Sequence, residues 1–382
     1  MSARAEAVID LAAIRSSVAR LVEVAPTAAV MAVVKADGYG HGLLPSAHAA
    51  LDGGATWLGT AVLEEALALR AAGISAPIMA WLAVPGEPLV DGVRADVDLS
   101  ASAVWMLEEL GAAAREAGRP ARVHLKVDTG LSRAGATPDD WPELVRTGLR
   151  LQAEGTVELV GAWSHFARAD APADPTVLGQ VEVFREALAV AADLGFVPQL
   201  RHLANSAATL ASPAAHFDLV RPGISVYGLS PGPDVGTAEA LGLVPAMTLR
   251  ASLALVKQVP AGSGVSYGHR YVTDEATTLG LVPIGYADGV PRAATNVAEV
   301  FADGRRLRIA GTVCMDQFVL DLGPDSEAAA GDDVVLFGPG DRGEPTAQDW
   351  ADAVGTINYE IVTRIGLRVP RRYVGAETPR PA

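Results

Sequence analysis

Cysteine is almost missing from this chain: Cys314 stands alone among 382 residues. No intrachain disulfide can form, so a packed core has to supply the stability, and a reducing compartment fits. No apolar run is long enough to cross a bilayer. The opening MSARAEAVIDLAAIRSSVARLV lacks the apolar stretch of a signal peptide. The segment has helical spacing with charges spread through it, which predicts a helix there, and a cytoplasmic setting is expected. Positive charge is also in short supply. Thirty Lys and Arg face 45 Asp and Glu, a formal net charge of −15. That balance argues against nucleic acid and anionic membranes, whose phosphates would be repelled. It leaves room for a local basic pocket holding a small anion. The seven histidines show no zinc spacing such as H-E-x-x-H, so no metal is expected. Repeats, low-complexity tracts and coiled-coil heptads are absent from the sequence too. What remains is half apolar and one-fifth charged, enough for a large core and more than one domain.

The order of elements predicts an α/β fold. Apolar strand candidates fall near residues 28–35, 56–61, 77–83, 96–100, 121–128, 157–165, 200–204 and 218–222. Helical patterns lie between them. Val62 to Ala72, Ala101 to Ala117 and Pro175 to Leu194 each run into a glycine: Gly73, Gly118 and Gly195. Eight strand–helix alternations predict an N-terminal (β/α)8 TIM-type barrel over residues 1–235; a doubly wound sheet would alternate with fewer strands. The Pro/Gly-rich LSPGPDVG, Leu229 to Gly236, marks a boundary. Beyond it, β-type runs at Thr248 to Val259, Thr277 to Ile284, Arg306 to Leu322 and Asp333 to Phe337 predict a mostly-β C-terminal domain over residues 236–382. It has one hairpin signal, Asp303-Gly304, and one helix, Thr346 to Val354.

Lys35 carries the chemistry. It closes an apolar run and opens a glycine-punctuated turn, AVVKADGYGHG. Active sites of barrels and open sheets are built at such strand ends. A partly desolvated lysine there has a lowered pKa and attacks aldehydes; a lysine that snorkels into water is the alternative from this stretch alone. The other strand ends agree with the first reading. HLKVDTGLSRAG holds Arg133, and SHFARAD holds His165. LANSAATL holds Asn205 and Ser206 at a helix start, and RPGISVYG holds Arg221, Gly223 and Ile224. Barrels commonly bind phosphate on the loops after strands seven and eight, where Ser206 and the Gly223 backbone lie. A phosphate site and a nucleophilic lysine together point to pyridoxal phosphate. Arg221 against its ring nitrogen would leave that nitrogen largely unprotonated, which suits proton transfer at Cα and disfavours transamination.

In this order and spacing, AVVKADGYGHG, HLKVDTGLSRAG, LANSAATL, RPGISVYG, VSYGHRY, VPIGYADGVPR, GTVCMDQ and GTINYEI closely resemble alanine racemase. That family pairs a pyridoxal-phosphate barrel with a C-terminal β domain. The resemblance implies a two-base reaction at Cα of alanine, with Lys35 as Schiff-base lysine and base on one face. Tyr267 would be the base on the other. It implies that His165 links Tyr267 to Arg221, and that Arg133 lies near the cofactor phenolic oxygen and the substrate carboxylate. Tyr39, Ser206, Gly223, Ile224 and Tyr359 match the phosphate contacts. The Met315 N–H would receive the substrate carboxylate, and Tyr271, Tyr286, Asp316 and Tyr359 would narrow the entrance. In some relatives the lysine matching Lys126 is carbamylated and orients the arginine. Family members are homodimers in which Tyr267 and Met315 reach into the other copy's barrel, and their usual role is supplying D-alanine for peptidoglycan. Two departures stand out: Ser132 in GLSRAG, where many relatives read GMGR, and Thr312, where some carry arginine.

Other readings of the same residues are weaker. GPGDRG, Gly338 to Gly343, has dinucleotide-loop spacing, but Pro339 removes a donor and no βαβ unit surrounds it. Cys314 reads as a small core thiol. His41 and His48 read as loop and helix residues. A racemase for serine or a broader set, a barrel-type decarboxylase, and a non-catalytic pyridoxal-phosphate carrier are the alternatives. The Arg221 motif opposes the second, and the β domain opposes the third.

Overall fold

The computed structural model describes residues 4–375. The chain forms two compact units. Among the described residues, one comprises Ile14–Gly38 and Leu43–Leu243; the other comprises 4–13, Tyr39–Gly42 and 244–375.

Strand β1 (Ala5–Asp10) belongs to the second unit; the first contains β2 (Ala29–Val33), β3 (Trp57–Thr60), β4 (Ile78–Ala80), β5 (Asp98–Ala101), β6 (Ala121–Lys126), β7 (Val157–Trp163), β8 (Leu200–His202) and β9 (Leu219–Val220). These eight strands form one parallel sheet in the order β8-β7-β6-β5-β4-β3-β2-β9. At the remaining seam the Asp218 N–H donates to Arg201 O at 3.0 Å and the Arg221 N–H to Ala204 O at 2.9 Å. The result is a nearly closed barrel, as the alternation predicts. Its interior is filled rather than open: Met31, Met79, Trp163 and Leu219 are buried together, with Trp57, Trp81 and Leu200 packed on them. The helix Val104–Ala117 stops where predicted, with Gly118 in the left-handed region at φ 71° and its N–H on Ala114 O.

The second unit contains β10 (Met247–Ser252), β11 (Leu255–Val259), β12 (Gly264–Val265), β13 (Tyr271–Val272), β14 (Thr277–Val282), β15 (Glu299–Ala302), β16 (Arg305–Arg308), β17 (Phe318–Gly323), β18 (Asp333–Phe337) and β19 (Arg371–Val374). They form sheets of six, three and two strands, ordered β16-β15-β18-β10-β1-β19, β11-β14-β17 and β12-β13. The β15–β16 hairpin turns through Asp303 (φ 51°) and Gly304 (φ 72°), both left-handed as a type I′ turn requires. The helix Ala347–Val354 opens on a capping box, Thr346 with Asp349.

Three sequence expectations need correction. The chain start is not helical throughout: Ala5–Asp10 is a strand, antiparallel to β10 and parallel to β19. Ala7 and Ile9 are fully buried, and Glu6 accepts from Arg250 Nε at 2.8 Å and Arg372 Nε at 3.1 Å. Partners hundreds of residues away override the local helical pattern. Asp10 makes the switch, its Oδ1 taking the Ala12 N–H at 2.8 Å as the helix begins. The run Thr248 to Val259 is two strands, and so is Arg306 to Leu322. Between the latter two lies the irregular segment that carries Met315.

Candidate active site

The turn after β2 is built against steric preference. Ala36, Asp37 and Gly38 have φ/ψ of 53/52°, 52/49° and 60/44°, and Tyr39 has φ 52°. Each non-glycine residue held there costs about 1–2 kcal/mol. Such strain persists only where surroundings over-determine it. The Gly38 N–H donates to Val34 O at 2.8 Å, the Asp37 N–H to Glu65 Oε1 at 3.2 Å, and the Leu43 N–H to Asp37 Oδ1 at 2.8 Å. A Cβ on Gly38 would lie 2.7 Å from Ser46 Oγ. Lys35, at the start of this turn, is half-buried with Nζ 5.9 Å from the Trp81 ring centre. Burial lowers its pKa, the Arg133 charge lowers it further, and Glu65 opposes both. More of the amine is therefore uncharged, the form a nucleophile or base requires, than on an exposed lysine.

Around it lies a cluster of cations. Lys126 ends β6, buried, with Nζ 4.2 Å from the Trp163 ring centre. Burial first, then the charges of Arg221 and Arg133, push its pKa down to about 8. His165 follows β7. Burial and the fields of Arg221, Arg133, Lys126 and Lys35 hold it well below the ordinary histidine value, so it is neutral. Arg133 projects from a loop gathered by Asp128, whose Oδ1 accepts from the N–H groups of Gly130, Leu131 and Ser132 at 2.9, 3.0 and 3.2 Å. Ser132 sits at φ 55°. That is a left-handed conformation which glycine adopts freely and serine holds at a cost in strain.

Arg221 follows β9 and is buried. Its Nη1 donates to His202 Nδ1 at 3.1 Å; its Nη2 donates to Ser164 O at 2.8 Å and lies 3.3 Å from both Leu203 O and His165 Nδ1. Its Nε–H bonds to none of the described residues. Burial pushes its pKa down to about 9, which leaves it charged at neutral pH. Asn205 caps the helix Ser206–Ala211, its Oδ1 taking the Ala208 N–H at 3.1 Å. Ser206 Oγ accepts from the Gly223 N–H at 2.8 Å and the Ser225 N–H at 3.4 Å, which brings the loops after β8 and β9 together. Ile224 is buried beside them.

The second unit presents different groups. Tyr267 is 75% exposed, on a turn preceded by Ser266 at φ 62°, ψ −172°, a region nearly reserved for glycine. The Ser266 hydroxyl donates to Thr312 O at 2.7 Å, and the Thr312 hydroxyl donates to Tyr267 O at 2.8 Å. Met315 is 53% exposed, and its carbonyl takes the Ala287 N–H at 2.9 Å. Asp316 is paired with Arg368 at 2.8 Å. The Tyr271 hydroxyl donates to Asp321 at 2.7 Å, and burial, then that bond, push its pKa up to about 12. Tyr39 and Tyr359 meet at 6.4 Å between ring centres, and burial raises the Tyr39 phenol well above its ordinary value. Tyr286 is exposed.

Comparison with known proteins shows the family. Residues 9–231 match the family described as alanine racemase, N-terminal domain, and residues 246–373 match alanine racemase, C-terminal domain. The chain belongs to the alanine racemase family. The alanine racemase of Frankia casuarinae is 68% identical over 371 residues, 97% of this chain and 96% of that protein. That of Thermobifida fusca is 60% identical, over 98% of this chain and all of that one. The solved structure of the Streptomyces coelicolor A3(2) alanine racemase is 59% identical and superposes with a TM-score of 0.96, covering 98% of each chain.

The structure brings Lys35, Lys126, Arg133, His165 and Arg221 to one end of the barrel strands, with Asn205, Ser206, Gly223 and Ile224 on the loops beside Arg221. Three lysines occur in the whole chain, Lys35, Lys126 and Lys257, and two of them are in this cluster. Sequence reasoning missed the aromatic floor, Trp81 and Trp163, whose rings lie 6.2 Å apart under the two lysines. It also missed Asp98, His124 and His202 in the barrel interior. Their signal was a polar residue at a buried strand position. In the second unit it missed Asp288, fully buried, which accepts from Arg4 at 2.9 Å and is ion-paired with Arg368 at 3.2 Å.

Proposed function

We propose that the chain interconverts L- and D-alanine with pyridoxal 5′-phosphate held at the barrel mouth. It would work as a homodimer in which each site is completed by Tyr267 and Met315 of a second copy. The observation that carries this reading is the cluster of Lys35, Lys126, Arg133 and Arg221 around neutral His165 in a chain of net charge −15. The residues fit the cofactor. An aldehyde needs an amine that gives up its proton, and the Lys35 pKa is lowered. A phosphate needs short polar donors, and the Ser206 hydroxyl, held in place as acceptor of the Gly223 and Ser225 N–H groups, keeps its own proton to donate. A pyridine nitrogen needs a donor, and the Arg221 Nε–H has no other partner among the described residues.

Bound there, the cofactor would delocalise the electron pair left when Cα loses its proton. Lys35 would hold or return that proton on one face and Tyr267 on the other, because inversion requires removal and return from opposite sides. Arg221, fixed as a donor, would keep the ring nitrogen unprotonated and so discourage transamination. Arg133 and the Met315 N–H would hold the substrate carboxylate, and Tyr39 and Tyr359 would add phosphate contacts. Tyr271, Tyr286 and Asp316 would line the entrance. Lys126, with its pKa near 8, has enough neutral amine to add carbon dioxide, losing one proton and gaining a carboxylate to pair with Arg133. In this division of labour residues 1–235 hold the cofactor, while 236–382 supply the second base and the dimer contact. Exposed Tyr267, Met315, Ile357 and Leu367 support a covered surface there. Among the described residues no helix is long and apolar enough to cross a membrane; a cytoplasmic enzyme supplying D-alanine for peptidoglycan is the role we propose.

The experiment is direct. Purified protein given cofactor and L-alanine should form D-alanine, and borohydride should fix the cofactor on Lys35. Bound cofactor with no D-enantiomer formed would refute the reading, and a panel including serine and the basic amino acids reports substrate breadth and any carbon dioxide release.

A further inference from the structure

A line of buried polar side chains threads the barrel interior. Asp98, the first residue of β5, is clasped by Arg122, whose Nε and Nη2 lie 2.8 and 3.2 Å from its two oxygens. Asp98 Oδ2 lies 3.0 Å from His124 Nε2, His124 Nδ1 lies 2.9 Å from His202 Nε2, and His202 Nδ1 lies 3.1 Å from Arg221 Nη1. Asp98, His124, His202 and Arg221 are at most 5% exposed. The line thus runs from the end of the strands opposite the site to the guanidinium at the mouth.

We propose that this line is a one-way hydrogen-bond chain. It fixes His124 and His202 as neutral Nε2–H tautomers and presents the bare Nδ1 of His202 to Arg221, so that Asp98, His124 and His202 are positioning residues for the guanidinium. The direction follows from the two ends. A guanidinium only donates and a carboxylate only accepts. Arg221 therefore makes His202 Nδ1 an acceptor. His202 must then carry its proton on Nε2 and donate to His124 Nδ1, and His124 must donate from Nε2 to Asp98. A further proton on either ring would set N–H against N–H. Burial, then the charge of Arg221, opposes that proton on His202. The groups facing His202 are Arg221, His124 and the Trp163 ring, stacked on it at 5.7 Å and 4°.

The packing is shaped for these rings. A Cβ on Gly161 of β7 would fall on His124 Nδ1, so glycine makes room for the contact between the imidazoles. Trp163 is itself tied by Nε1–H to Ser100 Oγ at 2.9 Å. With Nη2 held by Ser164 O and Nη1 by His202, the Arg221 plane cannot turn, and its Nε–H is left in one direction. Such fixing matters because a misplacement of about 1 Å can cost about 100-fold in rate. The inference rests on the proposed placing of Arg221 against the cofactor ring.

Two measurements test it. In the full-length protein with 15N-labelled histidine, both imidazoles should show a protonated Nε2 and a bare Nδ1, unchanged by cofactor and by pH across the neutral range. A proton on Nδ1 of either ring at neutral pH overturns the chain. His202→Leu removes the acceptor, whereas His202→Asn places an amide oxygen where Nδ1 was. His202→Leu should lower kcat by about 10- to 100-fold with little change in KM, and should shift the cofactor absorbance; His202→Asn should restore most of both. A folded His202→Leu with wild-type kcat and absorbance overturns the positioning role. Should that variant fail to fold, the wild-type tautomers still decide. If the tautomers are as stated but the cofactor absorbance ignores every substitution at Arg221, then the placing of Arg221 fails and the chain stands.

Discussion

The two side chains proposed to handle the Cα proton are held in opposite ways. Lys35 is half-buried, on a left-handed turn tied by hydrogen bonds, with burial first and the Arg133 charge next already lowering its pKa. Tyr267 is three-quarters exposed, and the bonds around it hold its backbone, through Thr312 and Ser266. The barrel thus sets the chemistry of its base as well as its place. The β unit fixes the tyrosine's backbone and leaves its side chain exposed. That is the pattern expected when one half of a site is preorganised within a chain and the other is completed by a second copy.

The sharpest way to break the comparison is to remove each base. Lys35→Ala should lower racemisation by about 10⁴-fold or more, because it removes one proton carrier and the cofactor's attachment together. Tyr267→Phe should cost about 10²–10⁴-fold. It should also leave solvent exchange of the Cα proton intact for one enantiomer and abolish it for the other, as read by deuterium incorporation. Equal loss of exchange from both enantiomers would show that the two groups do not divide the faces between them.

Lys126 separates environment from position. Its folded pKa is near 8, against an ordinary value near 10.5. Between those values the unfolded chain binds more protons, so folded stability rises with pH across that window. Below it the full penalty of a buried charge is present, about 3 kcal/mol from the size of the shift. Lys126→Met should remove the penalty. The variant should be the more stable at neutral pH, and the gap should shrink above about pH 8 and close only above about pH 10.5 in thermal melts. A wild type that instead loses stability when carbon dioxide is removed would carry a carbamate at this position.

The barrel was legible because its strands are short apolar runs separated by helices that stop at glycine, signals that are local. Asp303-Gly304 and the helix near Thr346 to Val354 were legible for the same reason. The strand Ala5–Asp10 was not, since its partners are β10 and β19 and no local pattern announces them. At the site, residues embedded in turn motifs, such as Lys35, Arg133 and Arg221, could be found. Asp98, His124 and His202 left only the weak signal of a polar residue in an otherwise apolar strand, because the line exists only once the strands are wrapped into a barrel. Asp288 was hidden likewise: its two arginines, Arg4 and Arg368, come from opposite ends of the chain.

Thr312 probes the opposite side of the comparison. Thr312→Val keeps the shape and removes the hydroxyl that donates to Tyr267 O. A hydrogen bond of this kind contributes about 1 kcal/mol. Turnover should therefore fall about 5-fold, with the cofactor absorbance unchanged. A change in that absorbance would mean that the barrel and the tyrosine loop are not set independently.

The smallest expected effects come from the two serines with positive φ. Ser132 (φ 55°) and Ser266 (φ 62°, ψ −172°) both occupy regions that favour glycine. The Ser132 hydroxyl bonds to none of the described residues, so nothing in its side chain offsets the strain. Ser132→Gly relieves about 1–2 kcal/mol of left-handed strain and adds some freedom to the unfolded chain, for a net gain of about 0.5–1 kcal/mol. Chemical denaturation should show that gain, with turnover roughly unchanged. Ser266→Gly relieves strain as well, yet it deletes the bond to Thr312 O that holds the tyrosine turn. The protein should gain or keep its stability while turnover falls. The divergence between the two variants is what identifies the strain at Ser266 as serving Tyr267. If both merely stabilise, the strained turn beside the phenol has no part in placing it.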